Sequence, residues 1–518
     1  MSVLRPLSAR GHLFAIASPV IAALLLCWPA FVNGGAFFFP DTTAYLRAAD
    51  MAVAELTGWQ TEWSDKHHLF GGASSGPDAE TGEVPAPDEA GSPGHPVLLG
   101  RSVYYGLAIF PFVMLAGSLG GAFLQAALAI FVLRLTFVGF GGERRNLASW
   151  QLIASAALAA LSPLPYVVSI LMPDVFAGFA VVCAVLAAVA WERFSRGERI
   201  VLVAVMVLSA LSHSSHVLLL LLIFGLAVLL RIGTRSIALA GTGVILLASL
   251  SGLAGDRLFS AAVTEKLGEP PIRPPFLTAR LIDDGPGYAM LQTHCPAIDL
   301  EACEFIGRMP YDSDIFLWSL DPGKGVFSAG SLAVQRKLAD QDFTFALAAL
   351  KYDPISVIRL AMEASAKQLA LTDLNIFNMP QATQSTERLG SEILPFVIVE
   401  NLPPTYQAEV RESRYFSGTM PVRFMETTSD ITLVLAAIFL VGVIAASVRT
   451  GGGKGTRAAV AAGLFLFAVG ANAAVTGSLS KPHDRYNVRI TWVLPLAALA
   501  LPANGRRKST EGKGSNAV

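Results

Sequence analysis

Two aspartates that follow apolar runs are the first residues of this sequence that could do chemistry. Asp41 comes directly after the first run, in the stretch Phe39-Pro40-Asp41, and Asp174 follows Pro173 between two later ones. A carboxylate is ionised at neutral pH and can take a proton from a hydroxyl nucleophile. Each aspartate could instead serve the backbone, Asp41 as the N-cap of a helix and Asp174 as a turn residue.

Two groups of basic and polar residues are suited to binding phosphate. His213 and His216 are three positions apart, so a helix would place them on one face. Arg485 and Arg489 are four positions apart, and guanidinium groups bind phosphate through paired hydrogen bonds. The alternatives are a polar turn at the membrane surface for the histidines and an anchor on lipid headgroups for the cations. The candidate substrate- and phosphate-binding residues are Tyr45, His213, His216, Lys481, His483, Arg485 and Arg489.

The composition indicates that these residues belong to a membrane protein. Of the 518 residues, 53% are hydrophobic and only 15% are charged, whereas soluble domains carry about 25% charged residues. The net charge of −1 provides no basic field for nucleic acid, which we exclude as a partner. We therefore expect a mainly α, polytopic helical protein in contact with membrane lipids.

Eleven apolar runs in the sequence approach the roughly 20 residues that a membrane-spanning helix needs. They lie near 12–32, 97–118, 119–138, 150–170, 174–192, 198–212, 215–231, 236–254, 430–448, 456–477 and 488–503. Lysine and arginine residues in the short connections set the expected orientation, because cytoplasmic loops are enriched in them.

The basic connections limit how many of these runs can cross. If both 97–118 and 119–138 crossed, Arg144 and Arg145 would lie outside the cytoplasm, whereas a single crossing keeps every basic cluster inside. The run 97–118 is the weaker one, because Arg101 interrupts it, and we interpret it as a juxtamembrane or re-entrant helix. About ten spans remain, with both termini cytoplasmic. The alternative is eleven spans with a displaced basic loop.

This topology divides the chain into three parts, in a bacterial-type cytoplasmic (inner) membrane. Residues 1–254 form an N-terminal transmembrane module with a first outer loop at 33–118, residues 255–429 form a mixed extracytoplasmic segment, and residues 430–518 form the C-terminal transmembrane helices and a cytoplasmic tail. All the candidate site residues then share the outer face.

Local patterns predict further elements within these parts. Apolar spacing predicts helices at 43–56 and 353–371, the second one capped by Asp353 before Pro354. The Gly-, Asp- and Pro-rich stretch 71–93 has too few apolar residues to bury, which predicts a mobile loop that could be a lid or a tolerated insertion.

The four cysteines fall into two pairs with different surroundings. Cys27 and Cys183 lie in apolar runs and are expected to be small core residues. Cys295 and Cys303 lie eight positions apart in the polar segment, where an extracytoplasmic location would favour a disulfide.

Together these features resemble the C-type glycosyltransferase superfamily, in particular the lipid-phosphate-sugar-dependent enzymes that include protein O-mannosyltransferases and bacterial aminoarabinose transferases. The likeness rests on Asp41 in the first outer loop after one span, Asp174 at the start of a later span, the polar turn with the two histidines, and the arginines before a late span. The large outer segment and the juxtamembrane helix add to it.

The resemblance implies an inverting transfer of a sugar from a polyprenyl phosphate to an acceptor glycan, lipid or protein. Asp41 would be the general base, with Asp174 as the second catalytic candidate, and Arg485 and Arg489 would bind the leaving phosphate. Relatives often carry a second acid directly after the first, where this chain has Thr42, and a lysine where it has the histidine turn. No cofactor is therefore implied with certainty, and a divalent metal is left open.

Two other classes of function compete with the enzyme. A lipid or solute transporter would need charged residues within its spans, which are nearly uncharged here. A non-catalytic membrane assembly protein would use the outer segment for binding. The sequence carries no P-loop, nucleophile elbow, zinc-protease or dinucleotide-binding motif in a credible context.

Overall fold

A computed structural model describes residues 9–64, 97–309, 312–319, 321–378, 399, 401–450 and 453–501. No strand occurs in these ranges, where isolated bridges join Phe37 to Ile170 and Leu98 to Ile272. The predicted loop at 71–93 and the terminal basic residues Arg5, Arg506, Arg507 and Lys508 lie outside the described residues.

The α-helices follow one another along the whole described chain. The first ten are α1 (Ala9–Leu26), α2 (Trp28–Asn33), α3 (Pro40–Thr57), α4 (Val103–Gly139), α5 (Leu147–Leu161), α6 (Leu164–Ser169), α7 (Val175–Ala190), α8 (Arg196–Ser212), α9 (Ser214–Gly233) and α10 (Leu239–Leu267). They are followed by α11 (Phe276–Asp283), α12 (Pro286–His294), α13 (Ser313–Trp318), α14 (Leu332–Tyr352), α15 (Pro354–Ala370), α16 (Pro404–Glu412), α17 (Val422–Thr450), α18 (Gly453–Leu479), α19 (Asp484–Thr491) and α20 (Val493–Ala500). Short 3-10 helices lie at Glu62–Ser64, Arg144–Asn146, Trp191–Arg193, Glu301–Arg308 and Asn375–Phe377.

The helices are those of a mainly α membrane protein, and six of them in the described chain are long and apolar enough to cross a bilayer. These are Val103–Gly139, Val175–Arg193, Ser214–Gly233, Leu239–Leu267, Val422–Arg449 and Arg457–Leu479, with a shorter apolar helix at Phe14–Leu26. The predicted count of about ten is not confirmed, because several runs form short or broken helices in the described chain. The run 150–170 divides at Ser162 and Pro163, and the run 488–503 divides at Trp492.

Helix α4 is broken near its middle. Ala116 and Gly117 have non-helical backbone angles, and Gly117 (φ 62°, ψ −158°) occupies a region that essentially only glycine adopts. A Cβ added to Gly120 would lie 1.9 Å from the carbonyl oxygen of Phe112. Residues eight apart in a straight helix are about 12 Å apart. The two halves of α4 therefore fold back on each other, near the boundary between the runs 97–118 and 119–138.

This reversal yields a stability prediction. Gly120→Ala should lower the free energy of unfolding by about 1–3 kcal/mol, because the new methyl group collides with a backbone carbonyl that cannot rotate away. The variant should therefore unfold at a lower temperature in detergent. Gly243→Ala in α10 is the matched control, since no atom lies within 4 Å of its added Cβ. An equal or higher unfolding temperature for Gly120→Ala would contradict the reversal.

Two hydrophobic cores organise the described residues. The larger one surrounds α7, every residue of which is buried, and it fills the helical bundle. The smaller one lies within residues 272–349, which we call the lobe, and is built around side chains such as Ile282, Phe316 and Phe345. The lobe also contains the disulfide Cys295–Cys303, whereas Cys27 and Cys183 are free and buried in the bundle.

The predicted segment 255–429 is shared between these cores. Phe377, Leu402, Tyr406 and Val410 pack into the bundle core and not into the lobe. Between the two lies α15, which begins at Pro354 with the side chain of Asp353 accepting a hydrogen bond from Ser356 N at 3.0 Å. This confirms the predicted capped helix, and α3 likewise matches the helix predicted at 43–56.

Candidate functional site

A cavity of about 500 Å³ lies at one end of the bundle, where α3 and α19 begin and α8 ends. The lobe closes it from the other side with residues of α11 and α13. All of the candidate site residues that the sequence singled out line this cavity, namely Asp41, Tyr45, Asp174, His213, His216, Lys481, His483, Arg485 and Arg489. Four separate segments of the chain thus bring these residues into one space.

Asp41 occupies the first turn of α3 but does not cap it. The helix begins at Pro40 with Phe39 as N-cap, because proline suits the first helical position. The proposed N-cap role of Asp41 was therefore wrong by two positions. Its Oδ1 accepts a hydrogen bond from Arg101 Nε at 2.7 Å, and its Oδ2 lies 4.0 Å from Arg485 Nη1.

The two guanidinium groups keep Asp41 ionised. Burial by itself raises the pKa of the Asp41 carboxyl, but the charges of Arg101 and Arg485 outweigh this effect and lower the pKa below its ordinary value. Oδ2 is too far from Arg485 for a hydrogen bond. The charged carboxylate therefore keeps one oxygen available to a ligand in the cavity.

Arg485 joins the two aspartates. Its Nε lies 3.6 Å from Asp174 Oδ1, and its guanidinium carbon lies 4.3 Å from the centre of the Phe39 ring. Burial disfavours the charge on Arg485, but Asp174 and Asp41 raise its pKa above the ordinary value. Asp174 is only 4% exposed and begins α7, so the pair holds α19 against the central helix.

Arg489 lies one turn further along α19 and binds side chains of α9 and α18. Its Nη2 donates to Asn472 Oδ1 at 2.9 Å and to Ser215 Oγ at 3.3 Å. Its guanidinium carbon and that of Arg485 both lie 5.2 Å from the centre of the Tyr486 ring. The two arginines therefore flank one aromatic side chain, as their spacing of four predicts.

The two histidines have different backbone positions. His213 is the N-cap of α9, and its Nδ1 accepts a hydrogen bond from Ser215 N at 3.1 Å. His216 lies within the helix, and its Nδ1 donates to the Ser209 carbonyl at 2.8 Å. The rings are still neighbours, with centroids 5.4 Å apart. Burial, together with Arg489 and Arg485, lowers the pKa of His213 to about 3, so its ring is neutral.

Lys481 and His483 have structural partners. Lys481 Nζ lies 2.7 Å from Asp312 Oδ2 and 3.2 Å from Asp314 Oδ2, so it ties α19 to the lobe. His483 is the N-cap of α19, where its Nδ1 accepts from Arg485 N. Both residues line the cavity, and there Lys481 Nζ and His483 Nδ1 are each engaged by another group of the protein.

Three cavity residues were not recognised as candidates from the sequence. Arg101 binds Asp41 and also lies over the Trp318 ring, 5.2 Å from its centre. Arg280 of the lobe pairs with Asp284 at 2.8 Å. The signal for Arg101 was present, because an arginine within an apolar run needs a partner. Arg280 and Trp318 belong to short helices of the lobe, for which no pattern indicated a site.

The cavity holds polar atoms that lack partners within the described part of the chain. Arg485 Nη1, His216 Nε2 and Arg280 Nε are buried and make no hydrogen bond there. Buried polar groups in proteins are nearly always paired, so these three atoms are suited to contact a ligand in the cavity. The combination of free guanidinium donors with an ionised carboxylate suits a ligand that carries both an anionic group and a hydroxyl.

A divalent metal does not fit these residues. Across the described ranges, no three His, Cys, Asp or Glu side chains converge as metal ligands. Asp41 and Asp174 each face a guanidinium group, which neutralises the charge that a metal would use.

The chain was compared with protein-family models, with curated proteins and with solved structures. No family model matches it. No curated protein and no solved structure matches it either.

Proposed function

We propose that this protein is a membrane glycosyltransferase that moves a sugar from a polyprenyl phosphate to the hydroxyl group of an acceptor. The observation that carries the proposal is the arrangement of Asp41 and Arg485 in one cavity at the end of the bundle, with a carboxylate oxygen and a guanidinium nitrogen 4.0 Å apart and neither hydrogen-bonded to the other. In one displacement reaction, a base so placed can take the proton of the attacking hydroxyl, and the cation can stabilise the leaving phosphate.

In this reaction the acceptor oxygen attacks the anomeric carbon from the side opposite the phosphate. The acceptor proton passes to Asp41 Oδ2, the new C–O bond forms, and the bond between the anomeric carbon and the phosphate oxygen breaks. Its electron pair leaves on the phosphate, whose growing charge Arg485 and Arg489 stabilise. The configuration at the anomeric carbon is inverted.

The other cavity residues hold this pair in place. Arg101 fixes Oδ1 of Asp41 and thereby orients Oδ2. Asp174 orients Arg485, and Asn472 orients Arg489. His216 Nε2 and the neutral His213 ring add polar groups that bear no charge of their own to repel the donor or the acceptor. Such preorganisation avoids rearrangement during the reaction.

Two features support an extracytoplasmic location of the cavity. The lobe that closes it contains the disulfide Cys295–Cys303, a bond typical of oxidising compartments. The basic residues Arg144, Arg145 and Arg193 lie at connections that the charge rule assigns to the cytoplasm. The proposed donor would reach the site laterally from the bilayer.

Transfer activity should stay constant as the pH falls from about 8 to about 5, because no cavity base titrates in that range. Asp41 must be deprotonated to act, and its lowered pKa moves the loss of activity to pH values below the ordinary carboxyl range. His213, with a pKa of about 3, stays neutral throughout. Initial rates measured at saturating donor would test this. An acidic limb with an apparent pKa near 6.5 would instead implicate a histidine as the base.

The proposal is tested with purified protein in proteoliposomes. The probe is a set of radiolabelled sugars linked to polyprenyl monophosphate, with polyprenyl diphosphate sugars as a parallel set. We expect release of free polyprenyl phosphate together with label in a water-soluble or acceptor fraction. Movement of intact donor across the bilayer without cleavage would identify a transporter and overturn the proposal.

A further inference from the structure

Helix α15 carries an apolar stripe that the described protein leaves uncovered. Ile355, Ile358, Met362 and Leu369 are spaced so that they share one face, and they are 78%, 55%, 68% and 49% exposed. A soluble helix with four large apolar side chains on its solvent face would be unusual. The stripe therefore requires an apolar environment.

The remaining surface of α15 divides into two further faces. Arg359 and Glu363 are exposed beside the stripe, with Lys367 one turn further on. On the opposite side Ala364 and Gln368 are buried, and the Ala364 carbonyl lies 2.7 Å from where a Cβ of Gly477 would be. The helix thus has one face on the protein, one apolar face and one charged face, which is the pattern of helices that lie in a membrane interface.

The surroundings of α15 continue a membrane-facing surface. Gly477 belongs to α18, which contains the candidate span Arg457–Leu479, so α15 packs against the cavity end of a transmembrane helix. The preceding helix α14 also exposes large apolar side chains, namely Phe343, Leu347 and Leu350. Tyr352 at the corner is an aromatic residue of the type that favours the interface.

We propose that α15 lies in the boundary between headgroups and acyl chains at the cavity end of the bundle, and that the bilayer is the occupant of its apolar stripe. Arg359 and Lys367 then reach the headgroup phosphates, with their aliphatic stems along the apolar surface. The helix predicted at 353–371 in the outer segment then serves as a membrane anchor. This inference does not depend on the proposed enzymatic activity.

The anchor is connected directly to the cavity. Gln368 Nε2 donates to the His483 carbonyl at 2.9 Å, and its Oε1 accepts from His483 N at 2.8 Å. Asn487 Nδ2 donates to the Leu369 carbonyl at 2.9 Å. The last turn of α15 therefore holds the first turn of α19, which carries Arg485. Docking of α15 in the bilayer fixes the position of this arginine relative to the membrane surface.

Spin labels on two faces of α15 test the proposal. Met362→Cys places a label in the stripe, and Lys367→Cys places the matched control on the charged face. The native cysteines do not interfere, because Cys27 and Cys183 are buried and Cys295 and Cys303 form a disulfide. Collision rates with oxygen, which concentrates in acyl chains, and with a water-soluble nickel chelate are measured in liposomes of phosphatidylethanolamine and phosphatidylglycerol.

We expect the label at Met362 to collide several-fold more with oxygen than with the nickel chelate, and the label at Lys367 to show the reverse preference. A label at Ile358, introduced in the same way, should repeat the result for Met362 and guards against a local folding defect at one site. Equal nickel accessibility at both faces would place the stripe in water and overturn the proposal. Protection of the stripe from both reagents would show a covering protein segment and would overturn it too.

Discussion

Asp41→Asn should lower the rate of sugar transfer by about two to four orders of magnitude while leaving the protein folded. The amide cannot take the acceptor proton, and general bases contribute about 10²- to 10⁴-fold to the rates of such reactions. We expect kcat to fall within this range and KM for the donor to change little, because the donor phosphate is bound by Arg485 and Arg489. The measurement is the initial rate of transfer in proteoliposomes.

Glu55→Gln is the matched control for this variant. Glu55 lies on the same helix, but its side chain is exposed and pairs with Lys266 away from the cavity. The Glu55→Gln protein should therefore be as stable as the wild type, since exposed ion pairs contribute little to stability. We expect it to transfer sugar at the wild-type rate. Full transfer activity in a folded Asp41→Asn protein would remove Asp41 from the mechanism.

Arg485→Gln should have the second large effect, on both stability and transfer. Asp174, 4% exposed, would lose its cation, and an unpaired buried charge costs about 3–5 kcal/mol. The leaving phosphate would lose a charged donor, a loss that typically lowers kcat by about 10²- to 10³-fold. Thermal unfolding in detergent and the initial rate of transfer measure the two effects separately.

The double variant Asp174→Asn with Arg485→Gln separates the two roles. Removing both charges should restore much of the unfolding temperature, because no buried charge is then left unpaired. Transfer should stay low, because the phosphate still lacks its cation. Recovery of transfer together with stability would mean that Arg485 only holds the fold.

The class of the fold could be predicted from the sequence, but the number of spans could not. Hydropathy reports composition, and the runs near 150–170 and 488–503 are apolar enough to be taken for spans. The first run breaks at Pro163, whose ring and missing N–H interrupt a helix locally, and the second breaks at Trp492, and a window average represents neither break. The break in α4 rests on the backbone angles of Ala116 and Gly117, which hydropathy does not report either.

The membrane side of the cavity was predictable, and the lobe side was not. Aspartates and arginines next to apolar runs are costly without partners, so their presence is a usable signal. Arg280 and Trp318 lie in short helices within an ordinary polar segment, where such residues are common. The partners of Lys481 in the lobe, Asp312 and Asp314, are more than 160 positions away in the chain.

The most direct test of the central claim is a structure of the protein with a polyprenyl monophosphate bound in a lipid nanodisc. We expect density for the phosphate within hydrogen-bond distance of Arg485 Nη1 and beside Arg489. The prenyl chain should leave the cavity towards the bilayer. Asp41 Oδ2 should face the space next to the phosphate. A phosphate bound elsewhere, with this cavity still empty at saturating lipid, would contradict the account.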